Sequence, residues 1–439
     1  GLSEVDAALR SAPYEIGFSP ICWEVITDFQ LLKRTGCYDV EEMRTIALMP
    51  ALFNENNKKL GRDAMYHAEQ AGVLPADQYG GRKDMCANIL ACEKVVNFDI
   101  SRQQRRAMVH EGLDASQCYD RMGLPSTGLS ATQHGASETG TVAMVQTLSN
   151  AEHRVTTAYG ASETAYGGRH RRKRGLLPLQ GVSQGNGAGP CLFVDSSSTC
   201  LGAMKAMGYY AILRAAISLI QLIMVCFLFV DDKDYQEWAK SVFQKGEDIL
   251  SKAQAALNYW VGILGATGGK INTIKSYWYL LDYSWTGTKW IYRKTADMPG
   301  VLTAVGLKAH PETIQRLEAH EAAKTLGVRM AADGNMEAQI EFLHGKAATY
   351  AQQVSSKHPA TKNDVWTANT HTIRKTMEYP MPATTINSDD WDSIFSTINK
   401  ATLPRAEIVR TFPHSVLYGP QKYQGIGQTH PWNHQELTH

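Results

Sequence analysis

The spacing of apolar and polar residues predicts both helices and strands along the 439-residue chain. Apolar positions that recur at helical spacing predict helices at 54–69, 84–98, 139–150, 192–207, 335–355 and 364–378. We also expect helices at 21–34, where Pro20 stands at the start and basic residues at the end, and at 311–326. A short alternating stretch at 44–48 predicts a strand. The chain therefore mixes the two kinds of element.

The most apolar run of the chain ends in a pair of acids. Residues 219–230 are almost all apolar, which predicts a buried strand, and Asp231 and Asp232 follow directly. Because successive side chains of a strand point to opposite faces, neighbouring acids reach one ion only at a tight turn. Burying two such charges costs several kcal/mol each unless a cation compensates. The pattern therefore predicts a β-turn-β hairpin and a divalent metal, as in two-metal nucleotidyl transfer.

That chemistry requires a third carboxylate, and Asp114 is the candidate. A short apolar approach, 107–109, leads to it, and Tyr119 begins a helical continuation five residues later. Taken alone, the pattern Asp114-x4-Tyr119-Asp120 is weak and favours a structural role over a catalytic one. Its weight comes from the motifs that follow it.

Two glycine-bearing loops carry side chains suited to phosphate. In 78–83, two glycines allow close approach of the backbone, and Arg82 and Lys83 supply positive charge. The loop at 181–190 leads into the predicted helix at 192–207, so its amides and Gln184 suit a nucleotide or a template base. It is not a dinucleotide fingerprint, because the required preceding strand and later acid are missing.

The most basic stretch, 169–174, has three interpretations that stay open. It is a solvated loop, a nuclear-localisation signal or a grip on a nucleic-acid backbone. Its cations are Arg169, Arg171, Arg172, Lys173 and Arg174.

Composition narrows the class of protein only loosely. With 44% hydrophobic and 20% charged residues the chain is an ordinary globular protein, and its net charge of +1 requires any basic footprint to be local. The eight cysteines show no CxxC pair, which disfavours zinc ribbons and disulfide scaffolds and favours an intracellular setting. The chain begins at Gly1 without a leader, so no secretory signal is expected. Polar residues interrupt 209–230, so no membrane span is expected either.

Taken in order, the motifs resemble those of reverse transcriptases. They are Arg44-Thr-Ile, Gln78-Tyr-Gly-Gly-Arg82-Lys83, Asp114-x4-Tyr119-Asp120, Gln184-Gly185-x4-Pro190-x-Leu192-Phe193, Phe229-Val-Asp231-Asp232, Gly268-Gly-Lys-x4-Lys275-Ser and Thr325-Leu326-Gly327-Val. Short segments such as Asn57-Lys-Lys-Leu-Gly-Arg62 are similar to segments of retrotransposon-type reverse transcriptases of diatoms and other algae. Lys233 after the acid pair and His110-Glu111 before Asp114 depart from the family's pattern.

The resemblance implies a set of residue roles. Asp114, Asp231 and Asp232 would be catalytic and would bind two Mg²⁺ ions, with Mn²⁺ as a substitute. Tyr119 would exclude a ribose 2′-hydroxyl, which favours deoxynucleotides. The remaining nucleotide-binding residues would be Gln184, Gly185, Arg44, Arg82 and Lys275, and the primer grip would be Leu326 and Gly327.

The resemblance also implies an α+β fold of the right-hand polymerase type, with fingers, an antiparallel-sheet palm and a helical thumb. The expected divisions are fingers at 1–105, palm with a finger insertion at 106–290, and primer-grip region with thumb at 291–439. The partners would be an RNA template, a DNA primer and dNTPs, without a membrane. The location would be intracellular, with nucleus and cytoplasm not distinguished and the oligomeric state unknown. Two alternatives stay open: a catalytically inactive nucleic-acid-binding protein of this fold, and a viral RNA-directed RNA polymerase.

Overall fold

The computed structural model describes residues 2–33, 36–39, 43–168, 181–215, 218–356 and 360–438, and it is an α+β protein. Its strands are β1 Val25–Leu32, β2 Met43–Leu48, β3 Met108–Asp114, β4 Glu152–Thr157, β5 Gly160–Ala161, β6 Tyr166–Gly167, β7 Ala211–Arg214, β8 Gln221–Met224, β9 Cys226–Phe229, β10 Asp232–Trp238, β11 Tyr277–Leu281, β12 Tyr283–Trp285, β13 Trp290–Tyr292, β14 Thr303–Val305, β15 Pro311–Thr313, β16 Gln315–Leu317, β17 Ala323–Thr325 and β18 Val328–Met330.

The described residues also form α-helices along the whole chain. They are α1 Leu2–Ile16, α2 Ala51–Ala71, α3 Ala87–Gln104, α4 Cys118–Arg121, α5 Leu124–Gln133, α6 Glu138–Asn150, α7 Gly189–Ala206, α8 Gly246–Ala266, α9 Glu337–Ser355, α10 Lys362–Ala368, α11 Arg374–Glu378, α12 Ser388–Arg405, α13 His414–Leu417 and α14 Pro431–Thr438. The helices predicted at 54–69, 84–98, 139–150, 192–207 and 335–355 are confirmed by α2, α3, α6, α7 and α9. The helix expected at 364–378 is present as α10 and α11 joined by one π-helical turn.

Five strands form a central sheet in the order β16, β11, β3, β10, β9. Strand β3 pairs antiparallel with β10 on one side and β11 on the other, and β16 adds to β11 in parallel. Strands β9 and β10 are joined by the two-residue turn Val230-Asp231, because Phe229 already pairs with Asp232. The predicted β-turn-β hairpin is therefore confirmed.

The two faces of the central sheet have different surroundings. Lys233, Tyr235 and Glu111 belong to one face, which packs on α7 and α8 through a core that includes Leu201, Leu257 and Trp260. The other face carries Asp232 and Asp234 and packs on α3 through a second core of Leu90, Phe98, Met108 and Tyr279. The alternation along β10 thus separates Asp232 and Asp234 from Lys233.

A second sheet, in the order β2, β1, β4, β5 with β6 also paired to β4, lies in the N-terminal part of the chain. The helix expected at 21–34 is wrong, since only Ile21–Trp23 forms a helical turn and β1 follows. The segment is rich in Val, Ile, Thr and Phe, and its residues pair with β2 on one side and β4 on the other. Pairing with strands distant in sequence therefore decided its conformation.

The C-terminal helices pack on one another around Leu343, Tyr350, Ile373, Trp391 and Phe395. The helix expected at 311–326 is wrong, because this segment forms β15, β16 and β17. Strand β16 adds to the edge of the central sheet beside β11, and its backbone bonds there replace those that a helix would make.

The apolar run before the acid pair is divided between surface and core. Residues 224–228 are buried, but Leu219, Ile220, Leu222 and Ile223 are exposed on the β7–β8 hairpin. The buried strand expected over the whole run is therefore correct only for its second half. Among the described residues, no helix has the length and apolar character needed to cross a membrane.

The face of the central sheet that packs on α7 and α8 buries two ionisable side chains whose charged atoms have no hydrogen-bond partner among the described residues. Glu111 and Lys233 are 0% and 1% exposed, and neither the two carboxylate oxygens nor Nζ has a hydrogen-bond partner within the described part of the chain. Lys233 Nζ lies 4.1 Å from the centre of the Trp260 ring, a cation–π contact. Burial raises the pKa of Glu111 from 4.5 to about 8 and lowers the pKa of Lys233.

Replacing Glu111 with Gln should remove part of the dependence of stability on pH. The raised pKa means that Glu111 is protonated in the folded protein where it is ionised in the unfolded chain, so its stabilising contribution is complete below pH 4.5 and is lost as pH rises to about 8. The free energy of unfolding of the wild type, measured with urea across this range, should fall with pH more steeply than that of Glu111→Gln. The exposed Glu341→Gln serves as control, and parallel curves for the wild type and Glu111→Gln would contradict the assignment.

Candidate functional site

The three acids predicted as metal ligands meet at one end of the central sheet. Asp114 is the last residue of β3 and lies directly opposite Asp232, the first residue of β10. Asp231 is in the turn, after Val230, whose φ of +56° is unusual for a β-branched residue. Gly80 packs against this turn so closely that a Cβ would lie 2.3 Å from the Val230 nitrogen. The glycine of the 78–83 loop therefore supports the acid hairpin.

The electrostatics of these acids indicate a shortage of positive charge. Burial, followed by the charges of Asp231 and Asp234, raises the pKa of Asp232 to about 7. Burial also raises the pKa of Asp114, where Lys275 opposes the shift and Asp231 adds to it. Burial likewise raises the pKa of Asp231. The three carboxylates are therefore partly buried, and the charge of Asp231 raises the pKa of both Asp114 and Asp232 further.

The three acids have the right chemistry to bind Mg²⁺, but their side chains do not converge on one point in this structure. Carboxylate oxygens are the ligands that Mg²⁺ prefers. However, Asp231 borders a cavity of about 30 Å³ on the side of α7 and α8, where it accepts a hydrogen bond from Cys118. Asp232 instead borders a larger groove on the opposite face of the sheet. Asp114 borders both spaces. Within the described residues, no three His, Cys, Asp or Glu side chains are grouped so that they could hold a metal ion.

The groove has a volume of about 660 Å³ and connects the acids to the turn expected to grip a primer. Its charged and polar lining includes Asp114, Asp232, Asp234, Lys275 and Lys324, and the turn residues Leu326 and Gly327 border it as well. Lys275 Nζ lies 3.8 Å from Asp114 Oδ2 and is 65% exposed. The groove therefore has acids on the sheet and exposed cations at its rim.

The turn between β17 and β18 has the backbone of a tight hairpin. Leu326 and Gly327 have φ values of +48° and +84°, as a two-residue type I′ turn requires. The Tyr379 hydroxyl donates a 2.6 Å hydrogen bond to the Leu326 carbonyl. A Cβ on Gly327 would lie 3.1 Å from the Tyr379 ring, which leaves little space for a side chain there.

A buried polar network ties this turn to the strand of Asp232. Lys94, from α3, forms an ion pair with Asp234 and donates a 2.6 Å hydrogen bond to Thr325 Oγ1. His110 Nε2 lies 3.2 Å from the other oxygen of Asp234. Burial alone would raise the pKa of Asp234, but Lys94 and His110 outweigh burial and lower it. The network thus holds an ionised carboxylate two residues from Asp232.

The sequence did not single out these network residues as a unit. In the sequence, His110 stands out only as a polar residue that interrupts the apolar strand before Asp114. The one available signal was the alternation Asp232-x-Asp234, which places both acids on one face of a strand. Nothing local connects Lys94 with Thr325, which is 231 residues away.

The residues predicted to contact the nucleotide divide between two places. Tyr119 packs on Phe193, with ring centres 6.0 Å apart, and burial, Cys118 and Asp231 raise its pKa to about 12, which places it beside the acids. Gln184 borders a separate pocket of about 180 Å³ that contains Asp28 and His153.

Backbone contacts of the 184–185 loop hold it against the N-terminal sheet. The Gln184 carbonyl accepts a 2.7 Å hydrogen bond from Ala47, and a Cβ on Gly185 would lie 2.4 Å from the Ala47 carbonyl oxygen. Asn54 Nδ2 donates to the Gly185 carbonyl at 3.1 Å. Gly185 therefore allows the loop to approach β2 closely.

The predicted cations also differ in their surroundings. Arg44 is exposed on β2, and its positive charge opposes the burial-induced rise in the pKa of Asp231. Arg82 instead forms two hydrogen bonds of 2.7 and 2.8 Å with Glu69 and donates to the carbonyls of Pro75 and Gln78, so in this structure it braces its own loop. The basic residues Arg169, Arg171, Arg172, Lys173 and Arg174 lie outside the described residues.

Comparisons by sequence find no matching family model and no matching curated protein. Among solved structures, the chain is similar to telomerase from Candida albicans in complex with a TWJ fragment of telomeric RNA, with 9% identity and a TM-score of 0.41 over 91% of this chain and 62% of that chain. The corresponding Candida tropicalis complex shows 11% identity and a TM-score of 0.42 over 99% and 67%. Apo telomerase from Candida tropicalis shows 11% identity and a TM-score of 0.38 over 92% and 66%. The chain thus spans 62–67% of the length of these telomerase chains.

Replacing Lys94 with Met should destabilise the protein by about 3–5 kcal/mol, because it removes a partner from the buried charge of Asp234. Urea unfolding measures the change. The exposed Lys59→Met, which breaks only a surface pair with Asp63, should cost less than about 1 kcal/mol. Adding Asp234→Asn to Lys94→Met should recover part of the loss. A cost below about 1 kcal/mol for Lys94→Met would show that the network does not hold the two segments together.

Proposed function

We propose that the chain is the RNA-directed DNA polymerase of a retroelement. One observation carries this proposal: a single groove is bordered by Asp114 and Asp232, paired across two strands, and by the tight turn Leu326-Gly327. The acids supply the ligands for nucleotidyl transfer, and the turn supplies a rigid backbone edge for a primer terminus. The polymerase motifs, which are dispersed over more than two hundred residues of sequence, support the same reading.

In this proposal Asp114, Asp231 and Asp232 hold two Mg²⁺ ions, for which Mn²⁺ can substitute. The ions, when bound, lower the pKa of the primer 3′-hydroxyl and neutralise the leaving pyrophosphate. To hold the ions together with Asp114 and Asp232, the carboxylate of Asp231 would leave its hydrogen bond with Cys118. Lys275, which contacts Asp114 from an exposed position, turns toward the negative charge of the triphosphate.

The nucleotide would lie between the acid hairpin and the N-terminal sheet. Tyr119 stands beside Asp231 and is held by Phe193, so its ring occupies the space that a ribose 2′-hydroxyl would need. Arg44 approaches the same side from β2 and neutralises the triphosphate. Gln184 and Gly185 would line the nucleotide pocket from the side of β2, and Arg82 stabilises the loop that contains Gly80.

The primer would lie along the groove, with its terminus at the turn. The network of Lys94, Asp234 and Thr325 keeps the distance between this turn and Asp232 constant. Lys324, exposed at the rim, suits a backbone phosphate. In this arrangement residues 1–105 are the fingers, 106–290 the palm with its finger insertion, and 291–439 the primer-grip region and thumb.

A second candidate is a nucleic-acid-binding protein of the same fold without turnover. The observation that favours it is the separation of Asp231 and Asp232 into different spaces, together with the contact of Lys275 with Asp114. Such a protein would bind a template-primer equally well with or without its acids.

Extension of a labelled DNA primer on an RNA template separates the two candidates. The wild type should extend the primer with dNTPs and Mg²⁺, and Asp232→Asn should lower the rate by at least about a thousandfold, since metal-ion stabilisation of the transition state is worth several kcal/mol. The exposed acid variant Asp389→Asn is the matched control and should retain full activity. Template-primer binding by the wild type without any product, at any concentration of Mg²⁺ or Mn²⁺, would establish the second candidate.

The role of Tyr119 predicts a change in sugar selection. Tyr119→Ala should raise the incorporation of ribonucleotides relative to deoxynucleotides by about 10–100-fold, because the ring no longer excludes one hydroxyl group. The ratio of kcat/KM for the two substrates measures the effect. Tyr119→Phe keeps the ring and should leave the ratio unchanged. A wild type that prefers ribonucleotides would contradict the proposal and favour an RNA polymerase.

A further inference from the structure

The hairpin β12–β13 carries four aromatic residues on one of its faces. Tyr283 lies opposite Tyr292, and Trp285 lies opposite Trp290, so the four side chains form a ladder of two cross-strand pairs. The hairpin follows β11, whose Leu281 pairs with Met108 at the beginning of β3. It therefore projects from the end of the central sheet opposite the acids, about 20 Å away along β3.

The inner half of this aromatic ladder is anchored in the protein. The rings of Tyr283 and Tyr292 have centres 5.1 Å apart. The Tyr283 hydroxyl lies 2.8 Å from Ser101 Oγ, and the Tyr292 hydroxyl donates to the Ala332 carbonyl at 3.4 Å. These contacts hold the base of the hairpin rigidly.

The outer half of the ladder is exposed to solvent. Trp285 and Trp290 are 54% and 46% exposed, and their ring centres lie 5.6 Å apart with a tilt of 56°. At the tip, Thr286 and Lys289 close the loop through their backbone groups and the Thr286 hydroxyl. The tyrosine pair thus anchors the hairpin at its base and this loop closes it at its tip, while the two indoles between them stay about half exposed to solvent.

Cations without acidic partners accompany the exposed rings. The Arg105 guanidinium carbon lies 5.7 Å from the Tyr283 ring centre and 5.9 Å from that of Trp290. Lys289 is exposed at the tip. Within the described part of the chain neither cation forms an ion pair, whereas the nearby Asp99 is already paired with Arg102. The surface therefore offers aromatic faces and uncompensated positive charge together.

We propose that Trp285, Trp290, Arg105 and Lys289 form a binding surface for single-stranded nucleic acid. Bases stack on exposed aromatic rings regardless of their identity, and cations beside the rings contact the phosphates. Half-exposed rings beside cations suit an unpaired strand, whose bases are free to stack on them, better than a duplex, whose bases already stack on one another. This inference rests on the proposed function only for the identity of the strand, which would be the template outside the duplex at the acids.

Equilibrium binding of a fluorescent 20-nucleotide oligo(U) or oligo(dT), measured by anisotropy in EDTA, tests the surface without any turnover. Trp285→Ala/Trp290→Ala should weaken binding at least tenfold, and Trp285→Phe/Trp290→Phe should retain most of it because the rings remain. Lys289→Gln should reduce the slope of log K against log salt by about 0.7, as expected for one lost contact with a single strand. The matched control is Tyr423→Ala, which removes another exposed aromatic residue that contacts a lysine.

Each outcome decides the proposal. Equal single-strand affinity for the wild type and the double alanine variant, with unchanged circular dichroism, would overturn it. If that variant instead changed only the sedimentation behaviour of the protein, the surface would be a protein contact and the proposal would also fail. Primer extension is measured separately. Binding that depends on the tryptophans, without extension, would support the binding surface and contradict the polymerase activity. Extension together with binding that does not depend on the tryptophans would support the polymerase activity and contradict the binding surface.

Discussion

The antiparallel register of β3 and β10 is the constraint on which the candidate site depends. It places Asp232 opposite Asp114, and the two-residue period of the strands then assigns every neighbouring side chain to a face. Asp234 follows Asp232 into the groove, while Lys233 turns toward Trp260 beneath α8. A slip of one residue would exchange these faces and bury the acids among apolar side chains.

Buried charge makes this register specific. Asp234 is ionised in the interior because Lys94 and His110 both reach it. These partners come from α3 and β3, and Lys94 continues to Thr325 on β17. A buried ion pair stabilises a fold weakly compared with apolar packing, but breaking it is costly. The network therefore contributes mainly by allowing one arrangement of three segments that are far apart in sequence.

The two ends of the central sheet carry different kinds of side chain, each suited to a different contact with nucleic acid. One end concentrates partly buried acids that repel one another, with exposed cations within reach. The other end carries an aromatic ladder whose rings pass from the interior into solvent, beside Arg105. A polymerase needs both kinds of surface, because chemistry requires a charged, enclosed centre and a moving strand requires contacts that do not depend on sequence.

The sequence by itself determined the features that depend on near neighbours in the chain. The acid hairpin follows from an apolar run that meets two carboxylates, and helices such as α2, α3 and α9 follow from their own apolar spacing. The apolar approach at 107–109 likewise predicts the strand that ends at Asp114. These predictions hold because turn geometry and helical periodicity are local properties.

Only the tertiary structure decided the features that depend on distant partners. Residues 25–32 became a strand because β2 and β4 supply hydrogen bonds on both sides, and 315–317 did so because β11 offers a free edge. Arg82 pairs with Glu69, Gly80 supports Val230, and Leu326-Gly327 reaches the groove of Asp232 through contacts that no spacing in the sequence reveals. The physical reason is that the free energy of a backbone or a charge depends on which groups surround it after folding, and those groups come from other parts of the chain.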